Sequence, residues 1–178
     1  LILMDIIKGI EQFNLDDFTA TTIGNFDGVH IGHSRIIEKV VSLAKEHKIR
    51  SVVITFDPHP VRFFGQEIQL LTDLDKKNEI LEGMGVDYHL VMNFNKELMT
   101  MNPEVFVREI IAKKLKTKFL VVGYDYKFGA RRKGDFDLLK LLSPKYGYTA
   151  FKYDKVVLDG LTVSSSNIRK LLQEGDLK

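Results

Sequence analysis

The chain has 178 residues, of which 44% are hydrophobic and 28% charged, and its formal net charge at pH 7 is +2. These values are ordinary for a soluble globular protein, and no apolar run approaches the length of a membrane-spanning helix, so no membrane partner is expected. The sequence contains no cysteine, which excludes disulfides, thiolate catalysis and cysteine-zinc sites. We therefore expect a single domain over residues 1–178 of a cytoplasmic protein.

The first unit along the chain combines a strand end, a glycine-rich loop and a helix. The β-branched run Thr21–Ile23 is typical of a strand, and the apolar spacing within 34–48 predicts an amphipathic helix. The loop between them, Gly24–His33, reads Gly-Asn-Phe-Asp-Gly-Val-His-Ile-Gly-His. Because a helix N-terminus attracts an anion and glycines let its oxygens approach the backbone, this loop is predicted to bind a phosphate. The alternative is that His30 and His33 only cap or pack the turn.

Strands and helices continue to alternate after this unit. Further strands are predicted at 51–56, 88–92, 119–122 and 148–158, and further helices at 73–83, 136–142 and 166–173, with another that begins at Asn102 as N-cap and has Pro103 in its first turn. This order predicts an α/β fold, in which a twisted parallel sheet is flanked by helices and ligands bind at the carboxyl ends of the strands.

The densest basic segment of the chain is Lys113–Lys118. It falls at the end of a predicted helix, where cations interact favourably with the helix dipole. Since no aromatic stripe accompanies these lysines, no nucleic-acid partner is expected.

Four separated motifs carry the functional prediction. They are Gly24–His33, Thr55–Pro60, Val122–Gly129 with Arg132–Asp135, and Val163–Arg169. Because they follow predicted strand ends, we expect them to converge at one edge of the sheet. Taken together, they resemble the adenylyltransferase half of the bacterial bifunctional riboflavin kinase/FAD synthetases, which are members of the H-x-G-H nucleotidyltransferase superfamily. The resemblance implies a Rossmann-like nucleotidyltransferase fold.

The resemblance also implies a reaction, the Mg²⁺-dependent transfer of AMP from ATP to the phosphate of FMN, which yields FAD and pyrophosphate. A phosphate that attacks the α-phosphate directly needs no covalent intermediate, so catalysis is expected from alignment and well-placed donors. The catalytic residues implied are His30, His33 and Arg169. The ATP-binding residues implied are Gly24, Phe26, Asp27, Gly28, His30, His33, Gly123, Asp125, Ser164, Ser165 and Arg169.

Within this set, the resemblance assigns His30 to the α-phosphate, His33 to the triphosphate beside it, and Arg169 to the leaving pyrophosphate. Asp125 is the candidate for the ATP ribose or for Mg²⁺, and its alternative role is that of a turn-forming residue. We expect Asp27 to orient the loop through backbone N–H groups rather than to bind metal. For the motif at 163–169, the alternative is an ordinary serine N-cap with a solvated arginine.

The flavin ring requires a flat apolar slot. The residues expected to contribute to it are Phe56, Pro58, Phe64, Phe106 and Phe128. The helical spacing of Phe106 with Ile110 is also what a core-facing stripe shows. The alternative for Phe128 is that its ring plugs the loop against the sheet.

Two other functions stay open at this point. One is a sister nucleotidyltransferase that acts on nicotinate mononucleotide, phosphopantetheine or glycerol phosphate, although the motifs at 55–60 and 123–135 argue against it. The other is a catalytically silent flavin- or nucleotide-binding module. In the family that the chain resembles, the adenylyltransferase is joined to a β-barrel riboflavin kinase domain. We expect no such kinase domain, and no riboflavin kinase activity, within these 178 residues.

Overall fold

The computed structural model describes residues 3–175, so residues 1, 2 and 176–178 of the predicted domain lie outside the described part. The strands are β1 (Asp5–Lys8), β2 (Thr19–Ile23), β3 (Arg50–Asp57), β4 (Tyr88–Asn93), β5 (Thr117–Gly123), β6 (Thr149–Tyr153), β7 (Val157–Leu158) and β8 (Leu161–Thr162). The helices are α1 (Ile31–His47), α2 (Pro60–Phe63), α3 (Leu74–Gly83), α4 (Lys96–Thr100), α5 (Pro103–Phe106, which continues as a π-helix over Val107–Lys114), α6 (Phe136–Tyr146) and α7 (Ser165–Glu174).

Six of the strands form one parallel sheet in the order β1-β4-β3-β2-β5-β6. The chain runs outward from β2 through β3 to β4 and then returns past β2 to β5, so the direction of winding reverses between β2 and β5. Ligands of such sheets bind in the crevice beyond the carboxyl ends of the strands at this reversal. The glycine loop follows β2 there, and Gly123 ends β5. The predicted α/β fold with a parallel sheet flanked by helices is confirmed.

Two apolar layers cover the sheet. On one side, α1 packs Ile37 and Val40 against Val121 of β5. On the other side, the π-helix and α6 pack Ile111 and Leu139. All of these side chains are essentially inaccessible to solvent. Burial on both faces explains why the central strands are continuous apolar and β-branched runs rather than alternating ones.

The strand structure predicted over 148–158 consists of two strands, β6 and β7. β6 ends at Tyr153, and the following residues turn back as the small β7–β8 hairpin. Asp159 and Gly160 lie between these two short strands with φ angles of 49° and 79°. Positive φ angles at both central residues allow the tight turn that suits a hairpin, and Asp-Gly is a favoured pair for it. The edge strand β1 was not predicted from the sequence at all.

A buried histidine ties α3 to the sheet. His89 of β4 lies between the hydroxyl of Thr55 in β3, 2.8 Å from Nε2, and the side-chain oxygen of Asn78 in α3, 2.5 Å from Nδ1. Because the oxygen of Asn78 can only accept, Nδ1 of His89 donates to it. Burial disfavours the charged ring and lowers the pKa of His89 to about 4. In the neutral ring that results, Nε2 accepts from the hydroxyl of Thr55.

This burial makes stability depend on pH. The unfolded chain binds a proton at His89 below about pH 6.5, whereas the folded chain does so only near the lowered pKa, so stability falls as pH drops through this window. We expect the buried His89 to lower the free energy of unfolding by about 2 kcal/mol at pH 5 relative to pH 8. Urea unfolding across this range is expected to show a shallower pH dependence for His89→Gln than for the parent. Equal slopes in the two proteins would contradict the buried neutral state.

Candidate active site

His30 and His33 stand at the N-terminus of α1. His30 is the N-cap residue, and its Nδ1 accepts a hydrogen bond from the backbone N–H of His33 at 3.3 Å. The two rings stack with centroids 3.5 Å apart, and the buried ring of Phe26 meets His33 edge-on at 5.1 Å. Since Nδ1 of His30 accepts, the neutral ring carries its proton on Nε2. His30 therefore caps the helix and retains one ring N–H as a donor.

Both histidines are held in the neutral form. Burial lowers the pKa of His33 to about 3, and the nearby charges of His30 and Lys77 act in the same direction. Burial also lowers the pKa of His30, and it outweighs the opposing effect of the carboxylates of Asp125 and Asp27. Near neutral pH the pair offers N–H donors to a phosphate without adding charge.

The carboxylate of Asp27 joins distant segments of the chain. Its Oδ1 accepts the backbone N–H groups of Leu71 at 2.8 Å and Thr72 at 3.1 Å, and its Oδ2 pairs with the guanidinium of Arg169 at 2.6 Å. Its backbone carbonyl accepts a hydrogen bond from the hydroxyl of Ser165 at 2.7 Å. Asp27 is buried, and the exposed fraction of the Arg169 side chain is only 18%. Asp27 thus holds the glycine loop against the segment before α3 and against α7.

The serine motif forms the start of α7. Ser164 is the N-cap residue, and its hydroxyl accepts the backbone N–H of Asn167 at 3.2 Å. Asn167 in turn donates from its amide to the carbonyl of Thr162 at 2.8 Å. The geometry brings Ser165 and Arg169 to the glycine loop, whereas the hydroxyl of Ser164 is already engaged as the cap.

The segment whose backbone N–H groups donate to Asp27 was not predicted from the sequence to belong to the site. The backbone N–H of Gly28 donates to the hydroxyl of Thr72 at 3.0 Å, and a Cβ on Gly28 would lie 2.8 Å from Cδ1 of Leu71. Gly28 also has a φ angle of 83°, which side chains rarely adopt. Lys77, one turn into α3, donates from Nζ to the carbonyl of Asn25 at 2.8 Å. No local pattern near residues 71–77 marks them as part of this site.

Asp125 follows β5, the strand beside the one that leads into the glycine loop. Its side chain is exposed, a Cβ on Gly123 would lie 3.5 Å from its Oδ1, and its charge acts on His30. Within residues 3–175, no group of three or more His, Asp and Glu side chains could hold a metal by itself. Mg²⁺ is commonly held by one or two carboxylates together with substrate phosphates and water. An exposed carboxylate near the glycine loop fits that mode of binding.

An aromatic group lies at the same edge of the sheet, beyond β3 and β4. It consists of Phe56, Phe63, Phe64 and Phe94, whose rings meet edge-on with centroids 5.3–6.4 Å apart. Phe64 is 61% exposed and Phe63 36% exposed. Pro58, also exposed, stands between β3 and α2. Of these, Phe63 and Phe94 were missed by the sequence reasoning.

The other two predicted flavin residues lie in the core. Phe106 is 3% exposed and Phe128 is 7% exposed. Their rings pack with centroids 5.4 Å apart, and Phe128 stacks on Tyr126 at 5.5 Å. Phe128 also pairs with Gly134 through backbone hydrogen bonds, and a Cβ on Gly134 would lie 2.7 Å from its ring. The structure gives both rings a packing role, so their contact with flavin stays a prediction.

Comparison with known proteins identifies the family. The family model described as FAD synthetase matches residues 13–167. This range includes the glycine loop, the aromatic group and the start of the serine motif. The chain belongs to the FAD synthetase family.

Curated relatives agree with that family. The chain is 32% identical over 178 residues to the bifunctional riboflavin kinase/FMN adenylyltransferase of Buchnera aphidicola (subspecies Acyrthosiphon pisum), with 98% of this chain and 57% of the relative covered. The protein of the same name from Escherichia coli K12 is 32% identical with the same coverage. That from Pseudomonas fluorescens is 35% identical over 175 residues, with 97% and 56% covered. The chain thus spans a little more than half the length of these relatives.

A solved structure shows the same fold. The crystal structure of a protein titled macrolide-efflux protein, from Streptococcus pneumoniae, superposes with a TM-score of 0.84 and covers 100% of this chain and 60% of its own. At 23% identity, the likeness speaks for the fold alone. None of the helices in the described part of this chain combines the length and apolar character needed to span a bilayer.

Proposed function

We propose that this chain catalyses the transfer of AMP from ATP to FMN, which yields FAD and pyrophosphate. The observation that carries the proposal is the stacked pair His30 and His33 at the N-terminus of α1, at the reversal of the sheet, in a chain of the FAD synthetase family. Backbone N–H groups at a helix start, together with ring N–H donors, form a site for phosphate. The assignment of FMN and ATP as substrates is based on the name shared by the relatives, which includes FMN adenylyltransferase.

The reaction requires alignment rather than a covalent intermediate. An oxygen of the FMN phosphate attacks the α-phosphorus of ATP, and the bond from that phosphorus to the bridging oxygen of the β-phosphate breaks as pyrophosphate leaves. Negative charge shifts onto the non-bridging and leaving oxygens in this step. In this proposal the Nε2–H of His30 and the start of α1 donate to the α-phosphate, and His33 lies on the triphosphate side.

Arg169 and Asp125 complete the ATP side of the site in this proposal. One guanidinium nitrogen of Arg169 donates to the carboxylate of Asp27, and the remaining N–H groups would donate to the leaving pyrophosphate. Asp125 would hold Mg²⁺, whose charge would offset that of the ATP phosphates. Asp27 is assigned a positioning role, because its oxygens are engaged by Leu71, Thr72 and Arg169. The cytoplasmic location expected from the sequence stays a prediction.

The aromatic group beyond β3 and β4 is proposed to bind the isoalloxazine ring. Two of its rings, Phe63 and Phe64, are exposed. The group lies at the same edge of the sheet as the glycine loop, at the ends of β3, which neighbours β2, and of β4. Flat apolar rings at an open edge suit a planar ligand. A catalytically silent module would bind the same ligands, so turnover separates the two functions.

The direct test is the formation of FAD from ATP, FMN and Mg²⁺ by the isolated chain. His30→Ala is expected to lower kcat by about 10²- to 10³-fold, because it removes one preorganised donor. It also loses the N-cap hydrogen bond to the backbone of His33, which is expected to cost about 1 kcal/mol of unfolding free energy. His47→Ala, at the other end of the same helix, is the matched control and is expected to retain the parental kcat. Binding of both substrates without turnover would favour the silent module, and turnover only with another phosphate acceptor would overturn the substrate assignment. A His30→Ala effect on KM alone would assign His30 to uniform binding.

A pair of phenylalanine variants tests the flavin site. Phe64→Ala is expected to weaken FMN binding by about 1–3 kcal/mol, the range for loss of one stacked ring, with little change in stability. Phe128→Ala is expected to lower the unfolding free energy by about 3–5 kcal/mol, because it empties a packed position. Fluorescence titration with FMN and thermal unfolding measure the two effects. The assignment of Phe64 fails if Phe64→Ala leaves the FMN affinity unchanged, and selective loss of FMN affinity in Phe128→Ala at parental stability would give Phe128 the flavin role that the resemblance implies.

A further inference from the structure

Lys77 reaches from α3 to the space between the ends of β2 and β3. Its Nζ donates to the carbonyl of Asn25, in the loop after β2, at 2.8 Å. Its charge interacts with the carboxylates of Asp27, in the same loop, and Asp57, at the end of β3. It also acts on His33 and His59. The ammonium group therefore lies between the phosphate-binding loop and the strand that leads to the aromatic group.

In the described part of the chain, no carboxylate lies within ion-pair distance of the ammonium group of Lys77, although Asp27 and Asp57 act on it from further away. Asp27 is already paired with Arg169 at 2.6 Å, and among residues 3–175 Lys77 takes part in no ion pair. Its side chain is half-buried, and burial is the main cause that lowers the pKa of Lys77. A partly desolvated cation gains most from an anion that arrives in the site. The hydrogen bond to Asn25 uses one of the three N–H donors of the ammonium group, which leaves two for such an anion.

We propose that Lys77 binds the phosphate of FMN, the group that attacks ATP, and that it selects the phosphorylated flavin over riboflavin. This inference rests on the proposed function. The flavin ring on the aromatic group and the α-phosphate beside His30 place the attacking phosphate between β3 and β2, which is where the ammonium group of Lys77 lies. A lysine binds phosphate as a compact charge with rotatable donors and tolerates the approach of a second, reacting phosphate.

The test compares FMN with riboflavin, which has the same ring and no phosphate. Fluorescence titrations of both flavins are made with the parent, Lys77→Met, Lys77→Arg and the control Lys76→Met, whose lysine is exposed and paired with Glu79. The parent is expected to prefer FMN, and Lys77→Met to lose about tenfold or more in FMN affinity while riboflavin affinity is unchanged. Lys77→Arg is expected to retain part of the preference because it keeps the charge, and Lys76→Met to retain all of it.

Several outcomes overturn the proposal. An equal loss of affinity for both flavins in Lys77→Met assigns Lys77 to loop structure through Asn25. An unchanged FMN preference removes Lys77 from the phosphate site, and selective loss of ATP binding moves it to the ATP side. A parent that forms FAD while Lys77→Met keeps the full FMN preference contradicts only the role of Lys77. A parent that forms no FAD from ATP and FMN contradicts the proposed function, and with it the attacking phosphate on which this role depends.

Discussion

The site depends on one buried carboxylate. Asp27 accepts hydrogen bonds from two backbone N–H groups of the segment before α3, and it pairs with Arg169 of α7. Its backbone carbonyl accepts a hydrogen bond from the hydroxyl of Ser165. A buried carboxylate left without these partners would be costly, so the three segments stabilise one another. In particular, α7 buries no side chain fully, and Ser165 and Arg169 attach it to the glycine loop through Asp27.

The sheet topology places the other candidate site residues at the strand ends near this carboxylate. His30 and Asp125 follow β2 and β5, the two strands at the reversal, and the charge of Asp125 acts on His30. The neighbouring ends of β3 and β4 carry the aromatic group. In the proposed function, phosphate chemistry and ring binding occupy neighbouring strand ends, and Lys77 reaches the position between them. The neutral histidines would donate without adding charge, whereas Arg169 and Lys77 would supply the positive charge.

The local patterns of the sequence predict the elements well and the long-range contacts poorly. The glycine loop and α1 could be predicted because the phosphate-binding signal and the helix repeat both lie within some 25 residues. The partners of Asp27 and Lys77 lie 44 to 142 residues away in sequence, so only the folded chain pairs them. Phe106 and Phe128 show another limit of the sequence, since their motif positions do not reveal that their rings are buried in the core.

The claim that Asp27 joins α7 to the glycine loop is tested most directly by a double-mutant cycle on the free energy of unfolding. Asp27→Asn keeps an oxygen for the N–H groups of Leu71 and Thr72, and Arg169→Gln removes the other charge of the pair. We predict a coupling energy of at least about 1 kcal/mol for this buried pair, and almost none for the exposed pair Lys170 and Glu174 on the same helix. Additive effects of the two substitutions, within about 0.5 kcal/mol, would contradict the central role of Asp27.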